Sequence, residues 1–289
     1  MIDKRSIMIT GANGLLGRSV LQALAKDVQV FALVRSKPLS QHENVKYLIA
    51  DLELDLDTSL LPRKIDTIVH FAQSSKFRDF PDNALDVFNV NIASTARLLD
   101  YAKEVGAKQF IYASSGGIYG NGSQAFEENA AIVPPGQLGY YLGSKACGEI
   151  LVQSYASIFQ VTIIRPFFIY GPGQNRSMLI PRLMDLVSSG KPISLQGRAG
   201  IRINPVHVED ASAAIIAALG TTESATYNIA GPDVFSVRQI AEAMGNHLEE
   251  APTFEYLDGE PRDLIADISM MQSRLHRPTR HLLQSFGEI

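Results

Sequence analysis

The sequence predicts an α/β protein, a doubly wound parallel sheet with a smaller C-terminal α/β lobe. Three observations predict this class. Strand-like and helical runs alternate through the first 165 residues. Most strand-like runs are continuously apolar, as expected when helices cover both faces of a parallel sheet. Three evenly spaced glycines follow the first strand. The alternation favours right-handed crossovers between neighbouring parallel strands.

The elements of the N-terminal part follow a regular order of strand and helix. The predicted strands are Ser6–Thr10, Val28–Val34, Val45–Ala50, Thr67–Phe71, Gln109–Ala113 and Val161–Arg165. The predicted helices are Leu15–Lys26, Ala84–Val105 and Tyr141–Phe159. This order is the one that a doubly wound sheet requires.

The chain changes character after Arg165. The segment "RPFFIYGPGQ" is dense in proline and glycine, and the later elements are shorter. The predicted helices there are Met178–Ser188, Glu209–Leu219 and Val237–Asn246, with short strands near Asn204–Val208 and Thr226–Ile229. We therefore predict one lobe over residues 1–167 and a smaller one over 168–289, partly interleaved, with some later strands returning to the main sheet.

Composition and charge narrow the classes of function. Of the 289 residues, 46% are hydrophobic and 19% charged, as in globular proteins. The net charge of −4 gives no electrostatic reason to bind nucleic acid or an anionic membrane. No apolar run approaches the roughly 18 residues of a membrane helix, and no signal-like stretch precedes the glycines. With Cys147 as its single cysteine, the chain fits a reducing compartment. We expect a cytoplasmic protein, with Cys147 buried.

The segment "SIMITGANGLLG", residues 6–17, carries the first functional signal. Gly11 permits a tight turn off the strand, Gly14 lets the backbone approach a pyrophosphate, and Gly17 lets the next helix pack near the sheet. The amides around Leu15 and Leu16 would face the diphosphate at the positive end of that helix. The pattern predicts a dinucleotide-binding site, and residues 1–167 as the dinucleotide-binding domain.

The end of the second strand bears on which dinucleotide is bound. An NAD site normally places an acidic residue there for the ribose 2′-hydroxyl, but this chain has "VRSKP". The guanidinium of Arg35 can instead receive the 2′-phosphate of NADP. The sequence therefore favours NADP over NAD. Asp51, after "VKYLIA", is a candidate for the adenine amino group, or else a surface carboxylate.

Tyr141 and Lys145 stand four residues apart in "YYLGSK", so on a helix they share a face. A nearby ammonium, together with a nicotinamide cation, favours the phenolate and lowers the pKa of the tyrosine. Tyr141 can then exchange a proton with a substrate oxygen while the nicotinamide exchanges a hydride. Ser115, in "YASSGGIYG", can hold the same oxygen. Tyr140 is the alternative tyrosine, but it lacks the four-residue spacing to Lys145.

At these residues the chain resembles the extended short-chain dehydrogenase/reductase superfamily, and within it the NAD-dependent epimerase/dehydratase group. The resemblance covers nearly the whole chain. Its segments are "TGANGLLG", "DTIVHFAQ", "NVNIASTARLLD", "YASSGGIYG", "IIRPFFIYGPGQ", "RINPVHVEDA" and "YNIAGPDVFSVRQIA", with the Tyr141–Lys145 pair. The resemblance implies a Rossmann lobe, a C-terminal substrate-binding lobe over residues 168–289, a nucleotide-sugar substrate and a homodimer through paired helices.

The resemblance also assigns roles to single residues. Ser115 takes the place of the catalytic Ser/Thr, and Tyr141 and Lys145 take the place of the acid–base pair. Ser115 and Arg202 are the predicted substrate contacts. The predicted cofactor contacts are Gly11, Gly14, Leu15, Leu16, Gly17, Arg35, Asp51, Leu52, Phe71, Ala72, Gln73, Asn91, Tyr141, Lys145 and Phe167. No spacing of His, Asp or Glu suggests a metal site.

Some positions depart from the family pattern. Related 4,6-dehydratases carry an Asp-Glu pair after the catalytic threonine, where this chain has Gly116 and Gly117, so a dehydratase is not expected. Galactose-type 4-epimerases usually have asparagine at Phe168. Their arginine before the "ADIS"-like motif is also displaced, with Leu257 in its place and Arg262 nearby. These changes weaken the case for a diphosphate-sugar substrate.

The sequence thus predicts an NAD(P)-dependent sugar-nucleotide epimerase or keto-sugar reductase that uses a Ser-Tyr-Lys site. One alternative is an NADPH-dependent reductase of a non-sugar carbonyl. The other is a non-catalytic dinucleotide-binding sensor, which the retained Ser115, Tyr141 and Lys145 disfavour. Epimerase and reductase share one proton and hydride machinery, and the residues alone do not separate them.

Overall fold

The computed structural model describes residues 5–24, 28–38 and 41–289 of the chain. The strands in these ranges are β1 (Ser6–Thr10), β2 (Gln29–Val34), β3 (Val45–Ile49), β4 (Thr67–His70), β5 (Gln109–Ala113), β6 (Gln160–Pro166), β7 (Ile169–Tyr170), β8 (Ile193–Gln196), β9 (Arg202–Ile203), β10 (Val206–His207), β11 (Ala225–Ile229), β12 (Phe235–Ser236) and β13 (Phe254–Leu257). The α-helices are α1 (Leu15–Leu24), α2 (Ala84–Phe88), α3 (Ser94–Glu104), α4 (Pro135–Gln153), α5 (Leu179–Ser188), α6 (Val208–Ala218), α7 (Val237–Leu248) and α8 (Ser269–Arg274).

A seven-stranded parallel sheet confirms the predicted fold class. Its strand order is β11-β6-β5-β4-β1-β2-β3. The order reverses between β1 and β4, which pair from Ile7 with Thr67 to Thr10 with His70. Doubly wound sheets bind ligands outside the carboxyl ends of their strands at such a switch point. The glycine-rich turn lies here, directly after β1.

The burial of each strand follows its place in the sheet. Every residue of β1 and of β5 is buried, which matches their continuous apolar runs. At the sheet edge, only Val45 of β3 is fully buried, because an edge strand has a neighbour on one side alone. The predicted return of a later strand to the main sheet is met by β11, at the opposite edge.

Most predicted helices are present with bounds shifted by one or two residues, and α4 shows a larger shift. The first helix ends at Leu24 within the described residues, and the predicted extension to Lys26 lies outside them. The helix predicted from Tyr141 to Phe159 runs instead over α4, beginning at a proline that suits a helix N-terminus. Phe159 is buried in the core beyond the end of the helix. Its position continues the apolar spacing of α4, and the sequence therefore predicts a helix that ends too late.

The predicted helix Ala84–Val105 is divided by a π-helical stretch. The structure has α2, then a π-helix over Asn89–Ala93, then α3 without a break in the helical backbone. A single π turn shifts the side chains that follow it and is frequent at functional sites. Asn91 lies in this turn, and its side chain enters the site described below.

The chain divides into two compact units whose segments alternate along the sequence. The first comprises the described residues of Met1–Ile118, Val133–Arg165 and Ile215–Tyr227, and the second comprises Tyr119–Ile132, Pro166–Ala214 and Asn228–Ile289. The core of the first unit includes Met8, Ile68, Leu98, Phe110 and Ile163. The dinucleotide-binding and substrate-binding roles expected for residues 1–167 and 168–289 remain predictions.

The second unit contains short strand pairs that the sequence largely did not reveal. Strands β8 and β13 pair in parallel, β7 pairs with β10 in parallel, and β9 pairs with β12 in an antiparallel manner. The core of this unit includes Tyr170, Leu183, Ile193, Ile240 and Met244. Over the described ranges, no helix is both long enough and apolar enough to cross a bilayer.

Candidate active site

The glycine-rich turn after β1 is held tightly against the loop after β4. Gly11 has φ +67°, and its carbonyl accepts from the Gly14 amide at 2.9 Å. A Cβ at Gly11 would lie 2.7 Å from Ala72 N, and a Cβ at Gly17 would lie 2.3 Å from Gly11 O. Only glycine fits at these two positions, and α1 begins at Leu15 directly behind the turn. We call this turn, residues 11–17, the glycine cradle; its contact with a dinucleotide pyrophosphate stays a prediction.

A buried histidine joins the strands beneath this cradle. His70 Nδ1 lies 2.6 Å from Thr10 Oγ1, and its Nε2 lies 3.0 Å from Thr95 Oγ1. Burial lowers the pKa of His70 to about 3, so the imidazole is neutral at physiological pH. The histidine therefore links β1, β4 and α3 by hydrogen bonds and is structural.

Tyr141 and Lys145 lie on one face of α4, as their spacing predicts. Lys145 is 1% exposed, and its Nζ donates to the carbonyl oxygen of Ala113 at 2.9 Å. The same Nζ lies 6.0 Å from the centre of the Tyr141 ring. The Tyr141 hydroxyl donates to Gln73 Oε1 at 2.9 Å. The centroid of the Phe77 ring lies 4.8 Å from that of the Tyr141 ring. The loop after β4 thus contacts both Tyr141 and the glycine cradle, whereas Lys145 is held by the end of β5.

The surroundings of Tyr141 and Lys145 shift their pKa values so that the neutral form of each side chain is favoured. Burial raises the pKa of Tyr141 to about 12, and the Arg78 guanidinium opposes this rise. Burial lowers the pKa of Lys145 to about 7. The expectation that the Lys145 ammonium would lower the pKa of Tyr141 is not met by the protein's groups alone. Desolvation of the phenolate outweighs the attraction of the Arg78 guanidinium. A positive nicotinamide ring is the further charge on which that expectation relied.

Ser115 follows β5 and uses its hydroxyl within its own turn. Its Oγ accepts from the Gly117 amide at 3.2 Å. Gly116 begins a short 3₁₀ helix that runs to Tyr119. The structure therefore brings Tyr141 and Lys145 together, whereas the hydroxyl of Ser115 bonds locally.

Asn91 connects the loop after β4 with α4. Its Oδ1 accepts from the Ser74 amide at 2.9 Å, and its Nδ2 donates to Ser144 Oγ at 2.8 Å. Ser144 Oγ in turn donates to the carbonyl of Tyr141 at 2.7 Å. Sequence reasoning predicted Asn91 as a cofactor contact and overlooked Ser74 and Ser144. No sequence pattern marks these serines, because the π turn is what aims Asn91 at them.

The residues predicted for the adenosine end lie on neighbouring loops. Arg35 is exposed directly after β2. The Asn13 side chain of the glycine turn donates to the Ser36 carbonyl at 2.9 Å, which ties the two loops together. Leu52 is buried, and Asp51 Oδ1 accepts from the Glu53 amide at 3.0 Å. The carboxylate of Asp51 thus shapes its own loop, and its contact with adenine stays a prediction.

A polar cluster that the sequence did not predict lies beside this end. The buried carboxylate of Asp86 accepts from the Ser74 hydroxyl and lies 3.2 Å from Lys76 Nζ. The carboxylate of Glu53 lies 3.8 Å from the same ammonium. The neighbouring Asp86 carboxylate raises the pKa of Glu53, chiefly through the hydrogen bond between the two side chains. The cluster fastens the loop after β3 to the loop after β4.

Two predicted contact residues lie in the second unit. Phe167 is buried there, with its ring 6.0 Å from that of Tyr119. Arg202 donates to Asp263 Oδ2 at 2.8 and 2.6 Å, while its side chain stays 54% exposed. The same unit holds a cavity of about 490 Å³, lined mainly by Leu179, Leu183, Ile193, Leu195 and Val237. Its polar lining includes Arg182, Ser194 and Gln196.

The cysteine prediction was wrong, since Cys147 is exposed. It lies two residues beyond Lys145 on α4, and that offset turns it away from the buried face. Within the part of the chain that the structure describes, no three His, Cys, Asp or Glu side chains are grouped to hold a metal ion.

Comparison with known proteins identifies the family. A sequence model described as the NAD dependent epimerase/dehydratase family matches residues 7–230. The chain belongs to this family. Its members are enzymes of the extended short-chain dehydrogenase/reductase type, and the family is NAD-dependent by its description.

Similar proteins within the family act on nucleotide sugars, as their names state. The chain is 27% identical to YtcB of Bacillus subtilis, an uncharacterised UDP-glucose epimerase, over 93% of this chain and 92% of that protein. It is 28% identical to the mouse dTDP-D-glucose 4,6-dehydratase, over 85% of this chain and 74% of that one. The structure of the UDP-glucuronic acid 4-epimerase of Bacillus cereus, in complex with UDP-glucuronic acid and NAD, is 26% identical, with a TM-score of 0.86 over 98% of this chain and 97% of that one.

Proposed function

We propose that this chain catalyses an NAD(P)-dependent oxidation or reduction of a nucleotide sugar, as an epimerase or as a keto-sugar reductase. One observation carries the proposal. The glycine cradle abuts Ala72, the next residue Gln73 accepts from the Tyr141 hydroxyl, and Lys145 lies on the same face of α4. A dinucleotide cradle and an acid–base tyrosine are therefore adjacent in one unit.

Each residue of the site has a chemical task in this proposal. Tyr141 gives a proton to, or takes one from, the substrate oxygen whose carbon is reduced or oxidised. Lys145 supplies positive charge near the phenol and is anchored by the Ala113 carbonyl. Ser115 donates a hydrogen bond to the same substrate oxygen, since its Oγ accepts from the Gly117 amide and keeps its own proton for donation. The bound dinucleotide supplies the hydride chemistry.

The glycine turn fits a dinucleotide, and Arg35 supports NADP over NAD. Side chains at Gly11 or Gly17 would collide with the protein's own backbone, so glycine keeps the turn compact and α1 close behind it. Arg35 stands where an NAD site normally has an acidic residue. The structure of the Bacillus cereus 4-epimerase holds NAD, so a preference for NADP would distinguish this chain from that relative.

The cavity of the second unit suits the nucleotide end of the substrate. Its apolar lining can cover a base, and Arg182, Ser194 and Gln196 offer polar groups. Arg202 lies in the same unit with a half-exposed guanidinium that can add a contact to an anionic group. The weakened diphosphate pattern around Phe168 and Leu257 leaves a reductase of a non-sugar carbonyl as the second enzyme candidate. Cytoplasmic location and a homodimer stay predictions.

The amount of reduced cofactor consumed per product distinguishes the enzyme candidates. The protein would be incubated with UDP- and dTDP-hexoses and with their 4-keto derivatives, and sugar products and cofactor would be followed together. An epimerase converts one sugar into its epimer with no net change in cofactor, whereas a reductase consumes one reduced cofactor per product. Turnover of simple ketones with none of the nucleotide sugars would favour the non-sugar reductase. No turnover with any of them would contradict the proposal.

A further inference from the structure

Gln73 is the hydrogen-bond partner of the Tyr141 hydroxyl. The phenol donates to Gln73 Oε1 at 2.9 Å. The sequence placed Gln73 among the cofactor contacts and gave it no relation to the tyrosine. In the structure its carboxamide oxygen accepts from the Tyr141 hydroxyl, whose proton is the one exchanged in the proposed function. A side chain at this atom can influence the proton transfer itself.

The backbone on both sides of Gln73 is fixed by buried side chains. The Ala72 amide donates to Thr10 Oγ1 at 3.2 Å, and the Ser74 amide donates to Asn91 Oδ1 at 2.9 Å. Thr10 and Asn91 are 0% and 1% exposed. The carboxamide is therefore presented from a firmly held point of the chain.

The same loop also fixes the tyrosine at its other end. Asn91 reaches Ser144 Oγ at 2.8 Å, and Ser144 Oγ donates to the Tyr141 carbonyl at 2.7 Å. The Phe77 ring packs against the phenol at 4.8 Å. Tyr141 is thus tied to one loop through its carbonyl, its ring and its hydroxyl. A closed set of contacts of this kind defines the direction in which the hydroxyl points.

A carboxamide offers both an acceptor and a donor at nearly the same place. We propose that Gln73 is a positioning residue that aims the Tyr141 hydroxyl and serves as its partner in both protonation states. The inference rests on the proposed acid–base role of Tyr141. Oε1 accepts from the neutral phenol, and after the proton leaves for the substrate a half-turn of the amide presents Nε2–H to the phenolate oxygen. In an epimerase Tyr141 regains this proton in the opposite half-reaction, whereas in a reductase it regains the proton from solvent.

The two bonds differ in strength, and this difference gives the proposal a direction. A hydrogen bond to an ionised oxygen is roughly twice as strong as one between neutral groups. Gln73 therefore favours the phenolate on balance and lowers the pKa of Tyr141. Among the residues that the structure describes, Lys145, Arg78 and Tyr112 also interact with Tyr141, and substitutions at Gln73 leave these three in place.

The test compares Gln73→Leu, which offers neither donor nor acceptor, with Gln73→Glu, which has the same shape and adds a negative charge. Gln153→Leu, at an exposed glutamine at the end of α4, is the matched control. We expect Gln73→Leu to raise the pKa of Tyr141 by about one, and Gln73→Glu to raise it further. At neutral pH, kcat for substrate oxidation should fall about ten-fold in Gln73→Leu, with KM little changed.

Two readouts are needed, the pH dependence of kcat and the NMR signal of tyrosine labelled at Cζ, assigned with Tyr141→Phe. The signal reports the hydrogen bond and the ionisation of Tyr141 whether or not the protein turns over a substrate. An unchanged signal and pH profile in both Gln73 variants would overturn the inference. If Tyr141→Phe still abolishes turnover in that case, the proposed function survives. A shifted signal with turnover independent of Tyr141 would sustain the pair and refute the proposed function.

Discussion

At the scale of single residues, burial sets the protonation of Tyr141 and Lys145. The pKa of Tyr141 is raised to about 12 and that of Lys145 is lowered to about 7, in both cases because the charged form loses its hydration. A lysine with such a pKa is partly neutral at physiological pH. The site therefore holds an acid and a base whose charges respond to groups brought by the ligands.

The lowered pKa of Lys145 predicts a pH-dependent stability. Between about 7 in the folded state and 10.5 as its ordinary value, the unfolded chain binds more protons than the folded one. The free energy of unfolding should therefore rise with pH in this window, by at most about 1.4 kcal/mol per pH unit from this group. Lys145→Met should lose this slope, and Lys103→Met, at an exposed lysine of α3, should keep it. Urea unfolding from pH 7 to pH 10 measures both, and equal slopes in all three proteins would be inconsistent with a buried titrating Lys145.

Arg35 predicts the cofactor preference. A guanidinium–phosphate contact contributes about 1.5–3 kcal/mol, so NADP(H) should bind about 10- to 100-fold more tightly than NAD(H). Arg35→Ala should abolish this difference, whereas Arg63→Ala, at an exposed arginine outside the site, should preserve it. Fluorescence titration of both reduced cofactors decides the matter. Equal affinities in the unaltered protein would show that Arg35 is a solvated surface residue.

At the scale of elements, α4 connects catalysis with folding. Tyr141 and Lys145 lie on one face of the helix, and Glu149 continues that face one turn later. Glu149 accepts from Arg165 of β6 through both oxygens at 2.9 and 2.7 Å, with side chains only 3% and 6% exposed. This buried ion pair fixes the helix to the sheet and so fixes the height of the tyrosine above the sheet.

Glu149→Ala should therefore destabilise the protein strongly. It removes the bidentate Glu149 carboxylate from the buried Arg165 guanidinium, and breaking a buried ion pair costs about 3–5 kcal/mol. Glu242→Ala removes a carboxylate from the exposed i, i+4 pair with Arg238 and should change the unfolding midpoint little. Thermal and urea unfolding of both variants make the comparison. Similar small shifts in the two would mean that β6 and α4 do not depend on this contact.

The elements that the sequence predicted best are those with strong local patterns. The bounds of β1 and β5 were predicted correctly because both are continuously apolar and end at turn residues. The pairing of Tyr141 with Lys145 followed from helical spacing alone. The end of α4 was placed too late because Phe159 continues the apolar spacing after the helix has stopped. The π turn around Asn91 was not foreseen, since it depends on packing between α3, α4 and the sheet.

The contact between Gln73 and Tyr141 was beyond sequence reasoning for a related reason. The loop after β4 has no periodic pattern, and its path is set by Thr10 and Asn91, which are distant in sequence. The strands β8 and β13 were missed because four residues are too few to show a period. Tertiary contacts, rather than local preference, decide these features.

At the scale of the whole molecule, the family contains epimerases and dehydratases, and the turn after β5 bears on the choice between them. Gly116 and Gly117 stand where dehydratases resembling this chain carry an acid and a base. A Cβ at Gly117 would lie 2.9 Å from Leu142 Cδ2, so the turn has no room for a side chain unless Leu142 moves. We therefore expect proton and hydride exchange at one carbon rather than elimination of water.

The glycines predict that the protein does not catalyse 4,6-dehydration of a hexose nucleotide. Neither can act at C5 or C6 of a sugar, so no 4-keto-6-deoxy product should form from dTDP-, GDP- or CDP-hexoses. Product analysis by mass spectrometry, with the mouse dehydratase as a positive control, tests this. Formation of the product at turnover rates would mean that other residues supply the acid and the base.

The most direct measurement for the central claim is single-turnover hydride transfer, followed by cofactor absorbance, in Tyr141→Phe and Tyr140→Phe. Tyr141→Phe removes one oxygen and should slow transfer about 10²–10⁴-fold with cofactor binding retained. Tyr140 is 36% exposed and stacks on Phe80 at 4.9 Å, so Tyr140→Phe should transfer hydride at a nearly normal rate. Near-normal transfer in Tyr141→Phe would contradict the claim that this tyrosine is the acid–base residue.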